Sequence, residues 1–193
     1  MIASMLNFDR SAIKSLELSD DYAVHKLVYS LFPGNKRTFL YCDQGGDFRG
    51  RRILLLSQNQ PLLPSVGELE SKRVSSELLT YSRYIFQIQL NPVVRKSGDK
   101  KFIPVVGQDK LREWFLRRQA DWGFAADPDR IEISDTGIIV IEKGTQTITY
   151  NKALFRGILE VHDKSILAQS FEQGIGRGKA FGFGLLQIKP VFN

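Results

Sequence analysis

The chain has 193 residues, of which 42% are hydrophobic and 11% aromatic, and it carries one cysteine, two histidines and a formal net charge of +6. This composition supports a packed core and argues against disorder. The single cysteine excludes an internal disulfide, and the scarcity of Cys and His disfavours a zinc site. The positive charge favours a polyanionic partner such as nucleic acid, although solubility alone would also explain a charge of this size.

Membrane insertion and secretion are not indicated. No apolar run reaches the ~18 residues of a membrane span, and the first residues lack the pattern of a signal peptide. The sequence therefore predicts a cytoplasmic protein without a membrane partner.

The first half of the chain reads as β-α-β-β-β. A strand is predicted over Met1–Phe8, followed by a helix that is capped by Ser19 and ends before Pro33-Gly34. Two further strands, Thr38–Cys42 and Arg51–Ser57, suit a hairpin with a long glycine-containing connection. The alternation in RYIFQIQL predicts a strand over Arg83–Leu90.

The second half reads as a helix, several strands, a helix and a strand. Helices are predicted over Gln108–Asp121 and Ser165–Gln173, the second ending at Gly174. Strands are predicted over three ranges: Arg130–Lys143, Gln146–Val161 and Phe183–Val191. The element order predicts an α+β fold of two small units with the split βαβ arrangement, residues 1–91 and 92–193, divided near Asn91-Pro92.

His25 is the stronger of two candidates for acid–base chemistry. His162 is most simply a polar turn residue. On a helical wheel His25 lies with Tyr22 and Tyr29 on the face opposite the apolar stripe, with Lys26 adjacent. The wheel alone favours a solvated surface histidine, but two tyrosines on that face would also suit stacking on a nucleic-acid base.

Basic residues cluster on several loops and on the second helix. Each cluster alone is more often a solvated face, whereas several on one small chain favour a phosphate-binding track. The clusters are Lys36, Arg37, Arg49, Arg51 and Arg52; Arg95, Lys96, Lys100 and Lys101; Arg177 and Lys179; and Lys110, Arg112, Arg117 and Arg118.

The glycine-rich stretch GIGRGKAFGFG at 174–184 does not match either common nucleotide-binding loop. Gly178-Lys179 is followed by Ala180, where a P-loop needs Ser or Thr. The glycines follow a helix and precede a strand, which is the reverse of the dinucleotide-binding order.

The same stretch fits the GhGxxxxxGhG loop, in which h is hydrophobic, of the repeat-associated RNA-binding proteins of CRISPR systems. QGIGRGKAFGFGLLQIKP closely resembles the end of the CasE subfamily, the CRISPR RNA endonucleases of type I-E Cascade. Other stretches resemble that subfamily in the same order along the chain. These are YAVHKLVYSLFP, FQIQLNPVVRKSGDKK, LREWFLRRQADWGF and FRGILEV.

The resemblance implies two tandem ferredoxin-like domains with antiparallel sheets and metal-independent cleavage of precursor CRISPR RNA at the 3′ base of each repeat hairpin. It implies no cofactor, and it implies the repeat RNA stem-loop and other Cascade subunits as partners. It places the catalytic histidine at His25 and a helper tyrosine at Tyr22. The alternative is a catalytically silent RNA-binding subunit of the same superfamily.

The predicted RNA contacts combine basic side chains with loop glycines. They are Lys26, Arg95, Lys96, Lys100, Lys101, Gly174, Gly176, Arg177, Lys179, Gly182 and Gly184. Glycine would let backbone and RNA approach closely, although packing of the loop against its own sheet is an equally simple explanation.

Overall fold

The computed structural model describes residues 1–18, 20–34, 36–47, 50–96, 98, 101–143 and 146–192. The strands in these ranges form two antiparallel sheets and a separate two-stranded hairpin. None of the described helices is long and apolar enough to cross a membrane.

The first sheet has the strand order β2-β3-β1-β4, with every neighbouring pair antiparallel. This is the ferredoxin-like order 4-1-3-2, although the segment 58–67 between β3 and β4 is irregular where that fold places a second helix. The elements are β1 (Ile2–Asp9), α1 (Arg10–Ser15), α2 (Asp21–Ser30), β2 (Phe39–Asp47), β3 (Gly50–Ser57) and β4 (Glu68–Arg73).

The second sheet repeats this order as β11-β5-β10-β8, and β9 pairs with β10 alongside β8. Its elements are β5 (Arg83–Leu90), α3 (Gln108–Arg118), β8 (Phe124–Ala126), β9 (Glu132–Lys143), β10 (Gln146–Val161), α4 (Lys164–Gln173) and β11 (Gln187–Pro190). The predicted α+β fold of two tandem ferredoxin-like units is confirmed. A hairpin of β6 (Val93–Arg95) and β7 (Phe102–Pro104) follows β5.

The predicted division at Asn91-Pro92 does not match the sheets. Strand β5 pairs with β10 and β11, and its residues Tyr84, Phe86 and Ile88 are buried in the core of the second unit. Alternation of apolar residues identifies a strand but not the sheet that it joins. The change from the first sheet to the second therefore falls between Arg73 and Arg83.

Several predicted boundaries also differ from the structure. Ser19 lies outside the described residues, and the N-cap of α2 is Asp20, whose carboxylate accepts from the Ala23 amide at 2.7 Å. Strand β2 ends at Asp47 and β3 begins at Gly50, so the connection between them is short, and the prediction of a long connection is wrong. The last strand is shorter than predicted because only Gln187–Pro190 pairs with β5.

A cluster of buried side chains joins the two units. Leu40, Cys42 and Leu56 of the first sheet pack with Phe171 of α4 and with Leu185, which directly follows the glycine-rich loop. This contact carries residues 174–184 to the side of the first unit where β2 and α2 lie.

Candidate functional site

Helix α2 positions His25 by packing its opposite face into the hydrophobic core of the first unit. Val24 and Val28 of that face are 1% and 0% exposed. His25 is half-buried and not fully solvated, because the glycine-rich loop covers it: the Phe181 ring stacks on the imidazole with centroids 4.5 Å apart. The helical wheel placed His25 on the correct face but could not show this cover.

One hydrogen bond to the loop defines the protonation pattern of His25. The Nδ1 atom lies 2.7 Å from the backbone oxygen of Ala180. A carbonyl oxygen can only accept, so Nδ1 carries a proton, and in the neutral ring Nε2 then carries the lone pair. This is the tautomer that can take a proton at Nε2.

The predicted helper tyrosine lies next to His25. The rings of Tyr22 and His25 are parallel to within 12°, with centroids 5.8 Å apart. Tyr29 tilts against the imidazole at 4.3 Å. The predicted face of Tyr22, His25 and Tyr29 therefore forms one aromatic cluster with Phe181.

Two glycines set the direction of the Ala180 carbonyl. Ala180 lies in a 3-10 turn over Lys179–Phe181, between Gly178 at φ +85° and Gly182 at φ +84°. Such angles are costly for residues with a Cβ. The turn aims the Ala180 oxygen at the first unit, where the Tyr41 hydroxyl also donates to it at 3.1 Å.

The glycines predicted to contact RNA differ in their exposure. Gly182 and Gly184 are buried, Gly174 is half-buried and Gly176 is exposed. A Cβ on Gly182 would lie 3.0 Å from the Tyr41 ring, and one on Gly184 would lie 2.2 Å from the Ile175 oxygen. Packing within the protein therefore accounts for glycine at these two positions, and RNA could reach them only if that packing opened.

Two of the predicted basic segments lie side by side. The Arg177 guanidinium of the loop lies 3.9 Å from the centroid of Phe102, which belongs to β7 of the hairpin. Arg95, Lys96 and Lys101 are exposed on the same hairpin, whereas Lys100 lies outside the described residues. The hairpin and the glycine-rich loop thus form one basic surface.

The basic surface continues to the first unit. Burial, with a further contribution from Arg37, lowers the pKa of Lys179, and its Nζ donates to the Gln173 oxygen at 2.9 Å. Lys26 is exposed, with Nζ 5.1 Å from the centroid of Tyr22. Lys26 therefore adds a positive charge beside the Tyr22 ring of the His25 cluster.

Tyr41 and Phe181 are site residues that the sequence did not reveal. Phe181 stacks on the imidazole of His25, and the Tyr41 hydroxyl donates to the Ala180 oxygen that His25 also contacts. Each contact joins the two units, and no local sequence motif marks contacts of such long range. Among the described residues, no group of three or more His, Cys, Asp or Glu side chains is arranged to hold a metal ion.

The second histidine lies apart from this cluster. His162 is exposed in the turn before α4, and its backbone N–H donates to the Gly123 oxygen at 2.9 Å. It occupies a polar turn, as the sequence indicates.

Comparison with known proteins agrees with this architecture. The model of a family described as CRISPR associated protein matches residues 1–190. The CRISPR system Cascade subunit CasE of Escherichia coli K12 is 24% identical over 89% of this chain and 93% of its own length. The CRISPR-associated endoribonuclease Cse3 of Thermus thermophilus is 28% identical over 56% of each chain.

A solved structure extends the likeness to the whole fold. Thermus thermophilus Cse3, bound to an RNA representing a pre-cleavage complex, superposes with a TM-score of 0.81 at 20% identity, covering 98% of both chains. The family match spans nearly the whole sequence and the predicted resemblance to the CasE subfamily is confirmed, so the chain belongs to the CRISPR-associated protein family.

Proposed function

We propose that this chain is a metal-independent endoribonuclease that binds the CRISPR repeat hairpin and cleaves precursor CRISPR RNA at the 3′ base of the stem. The observation that carries the proposal is the 2.7 Å contact between His25 Nδ1 and the Ala180 oxygen. It makes Nε2 the proton-accepting nitrogen of a half-buried histidine beside a basic surface. The name of the related Cse3 protein, a CRISPR-associated endoribonuclease, supports RNA cleavage as the activity.

The chemistry uses the substrate's own nucleophile. The 2′-OH attacks the adjacent phosphorus, the bond to the 5′-oxygen breaks, and the products are a 2′,3′-cyclic phosphate and a 5′-hydroxyl. Because the nucleophile is tethered, the protein's task is to hold sugar and phosphate in line and to move protons. His25 serves either as base for the 2′-OH or as acid for the 5′-oxygen.

Tyr22 acts as a hydrogen-bonding positioner or as an acid. A neutral phenolic hydroxyl is a poor base but a good hydrogen-bond donor. Its stacked arrangement with His25 suits a hydroxyl that orients the scissile phosphate.

The basic surface binds the stem by shape and charge. The major groove of A-form RNA is too deep and narrow for side chains to read, so phosphate contacts dominate. Arg95, Lys96, Lys101 and Arg177 follow the stem backbone, with Lys100 as a further expected contact. Lys26, Lys179 and Gly176 contact the RNA close to His25.

The product remains bound, and the protein stays with the guide RNA as a subunit of Cascade. The name of the Escherichia coli relative as a Cascade subunit supports this assignment. The second candidate is a silent RNA-binding subunit with the same basic surface, in which His25 serves only the packing between loop and helix.

One assay separates the two functions. The protein is incubated with its cognate repeat RNA in EDTA, alongside His25→Ala and the matched variant His162→Ala. We expect cleavage by the wild type and by His162→Ala, and binding without cleavage by His25→Ala. Binding without cleavage by all three proteins would favour the silent subunit. Loss of cleavage on adding EDTA to an active preparation would contradict the metal-independent mechanism.

A further inference from the structure

The carbonyl that binds His25 has a second donor. Ala180 O accepts from His25 Nδ1 at 2.7 Å and from the Tyr41 hydroxyl at 3.1 Å. Both donors belong to the first unit, one on α2 and one on β2, whereas the carbonyl belongs to the loop of the second unit. A single loop oxygen is therefore held between two elements of the other domain.

Burial holds the Tyr41 hydroxyl in place as a hydrogen-bond donor to the Ala180 oxygen. Its side chain is 1% exposed, so its hydroxyl cannot exchange Ala180 for bulk water without opening the domain contact. Burial, with smaller effects from Tyr29, Asp21 and Asp43, raises the pKa of Tyr41. The hydroxyl consequently stays protonated, and able to donate, throughout the pH range of an RNA-cleavage assay.

The loop is shaped around the Tyr41 ring. The ideal Cβ position of Gly182 lies 3.0 Å from that ring, so glycine lets the loop approach the ring this closely without a shift of either. The close approach brings the Ala180 oxygen within reach of the hydroxyl. Ring and hydroxyl together fix the position of the atom that His25 must meet.

We propose that Tyr41 is a positioning residue for the reaction: through the Ala180 carbonyl it holds His25 with Nδ1 protonated and Nε2 as the proton-accepting nitrogen. It touches neither the substrate nor the reacting atoms. The effect of Tyr41 on cleavage rests on the proposed function. Its effect on the tautomer of His25 does not, because the tautomer can be measured without RNA.

The first test is the nitrogen spectrum of the protein labelled with ¹⁵N-histidine, recorded without RNA at a pH where the imidazoles are neutral. The chain has two histidines, and His162→Gln assigns their signals. In the wild type we expect His25 to be protonated at Nδ1. A spectrum dominated by the Nε2-protonated form would overturn the inference.

The second test compares Tyr41→Phe with Tyr84→Phe. Tyr84 is the matched control because it is also fully buried and also donates to a backbone oxygen, that of Leu78 at 2.7 Å, in the other unit. Both variants lose one buried hydrogen bond and should unfold at a lower temperature. Only Tyr41→Phe should shift the His25 signals toward a mixture of tautomers.

Cleavage provides the functional readout. Under single turnover with saturating RNA, we expect Tyr41→Phe to be about five- to tenfold slower, the effect of removing one hydrogen bond. Its RNA affinity should stay within about twofold of the wild type. Tyr84→Phe should cleave at the wild-type rate.

The outcomes are distinct. If Tyr41→Phe matches Tyr84→Phe in both spectrum and rate, the role of Tyr41 is only structural and the inference is overturned. If Tyr41→Phe does not fold at the assay temperature, the same two readouts are taken at a lower temperature, with the wild type and Tyr84→Phe measured beside it. If the wild type does not cleave repeat RNA, the proposed function fails, while the spectra still decide whether Tyr41 fixes the tautomer.

Discussion

At the scale of single residues, the site depends on ring contacts as much as on charge. Tyr22, Tyr29 and Phe181 surround the imidazole of His25, and together they restrict the directions in which it can turn. A restricted ring loses less conformational entropy when RNA binds. The hydroxyl of Tyr22 can be tested separately from its ring, because phenylalanine keeps the ring and removes only the hydroxyl.

We expect Tyr22→Phe to slow single-turnover cleavage about tenfold, because it keeps the stacked ring and removes one hydrogen-bonding group. RNA affinity should change little. The measurement is the cleavage rate at saturating RNA. Tyr81→Phe is the control, since Tyr81 is also half-buried and packs edge-on against Phe192 in the second unit. Equal rates for the two variants would remove Tyr22 from the mechanism.

The identity of His25 as a site residue could be predicted from the sequence, but its surroundings could not. The helical wheel shows which residues share its face. The Ala180 carbonyl is 155 residues away along the chain and Tyr41 is 139 residues from that same carbonyl. Backbone acceptors carry no side-chain signature, so neither contact leaves a pattern in the sequence.

At the scale of elements, the glycine-rich loop joins two constraints, a set of positive φ angles and close contact with the first unit. Gly182 carries both constraints, whereas Gly45, at φ +75°, has no atom within 4 Å of its ideal Cβ position. Alanine substitutions at Gly182 and at Gly45 therefore separate the cost of the backbone angle from the cost of the contact with the Tyr41 ring.

We expect Gly45→Ala to lower the free energy of unfolding by about 1 kcal/mol, the cost of a left-handed conformation for a residue with a Cβ. Gly182→Ala should cost at least about 2 kcal/mol, because the new methyl also presses on the Tyr41 ring. It should also slow cleavage, which Gly45→Ala should not. Urea unfolding measures the first effect, and equal losses of stability in the two variants would contradict the close approach to Tyr41.

Helix α4 leads into this loop, and its start depends on a carboxylate. Asp163 accepts from the backbone of Ile166 and from Ser165, and these hydrogen bonds lower the pKa of Asp163. A carboxyl group with a lowered pKa stabilises the fold at neutral pH, and this contribution is lost as the pH falls from the unfolded-state pKa, about 3.9, through the folded-state value.

We therefore expect Asp163→Ala to lower the unfolding temperature at pH 7, and the difference from the wild type to shrink below about pH 4. Asp163→Ser keeps a good N-cap without a titrating group, so its difference from Asp163→Ala should stay nearly constant with pH. Thermal unfolding across pH 3–7 measures both. A pH-independent difference for Asp163→Ala would contradict the role of the carboxylate.

The elements that could be predicted are those with a strong internal pattern. The alternation of β5 and the apolar stripes of α2, α3 and α4 identify them. Strand β4 could not be predicted because ELESKR is charged and mostly exposed, as suits the edge of a sheet. Helix α1 could not be predicted because only Ala12 of its six residues is buried, which leaves no apolar stripe.

At the scale of the whole molecule, the two units present one basic surface that crosses their boundary. The hairpin of β6 and β7 meets the loop through Arg177 and Phe102, and Lys179 comes under the electrostatic influence of Arg37 of the first unit. The net charge of +6 therefore has a spatial organisation that the composition alone could not reveal.

We expect the double variant Arg95→Gln, Lys96→Gln to weaken binding of repeat RNA and to reduce the slope of log Kd against log salt concentration by about 2, or about 1 for each phosphate that is no longer neutralised. The control is Lys72→Gln, Arg73→Gln, which removes the same charge from exposed positions on the edge strand β4. Equal slopes for the two double variants would show that the hairpin is not a preferred binding site for phosphate.

The distance in sequence between His25 and Ala180 has a consequence for the timing of synthesis. At 5–20 residues per second, helix α2 leaves the ribosome roughly 8–30 s before the carbonyl that completes its site. During that interval the nascent chain carries the histidine without the loop that orients it. A chain that ends before Ala180 therefore lacks the hydrogen bond that orients the imidazole of His25.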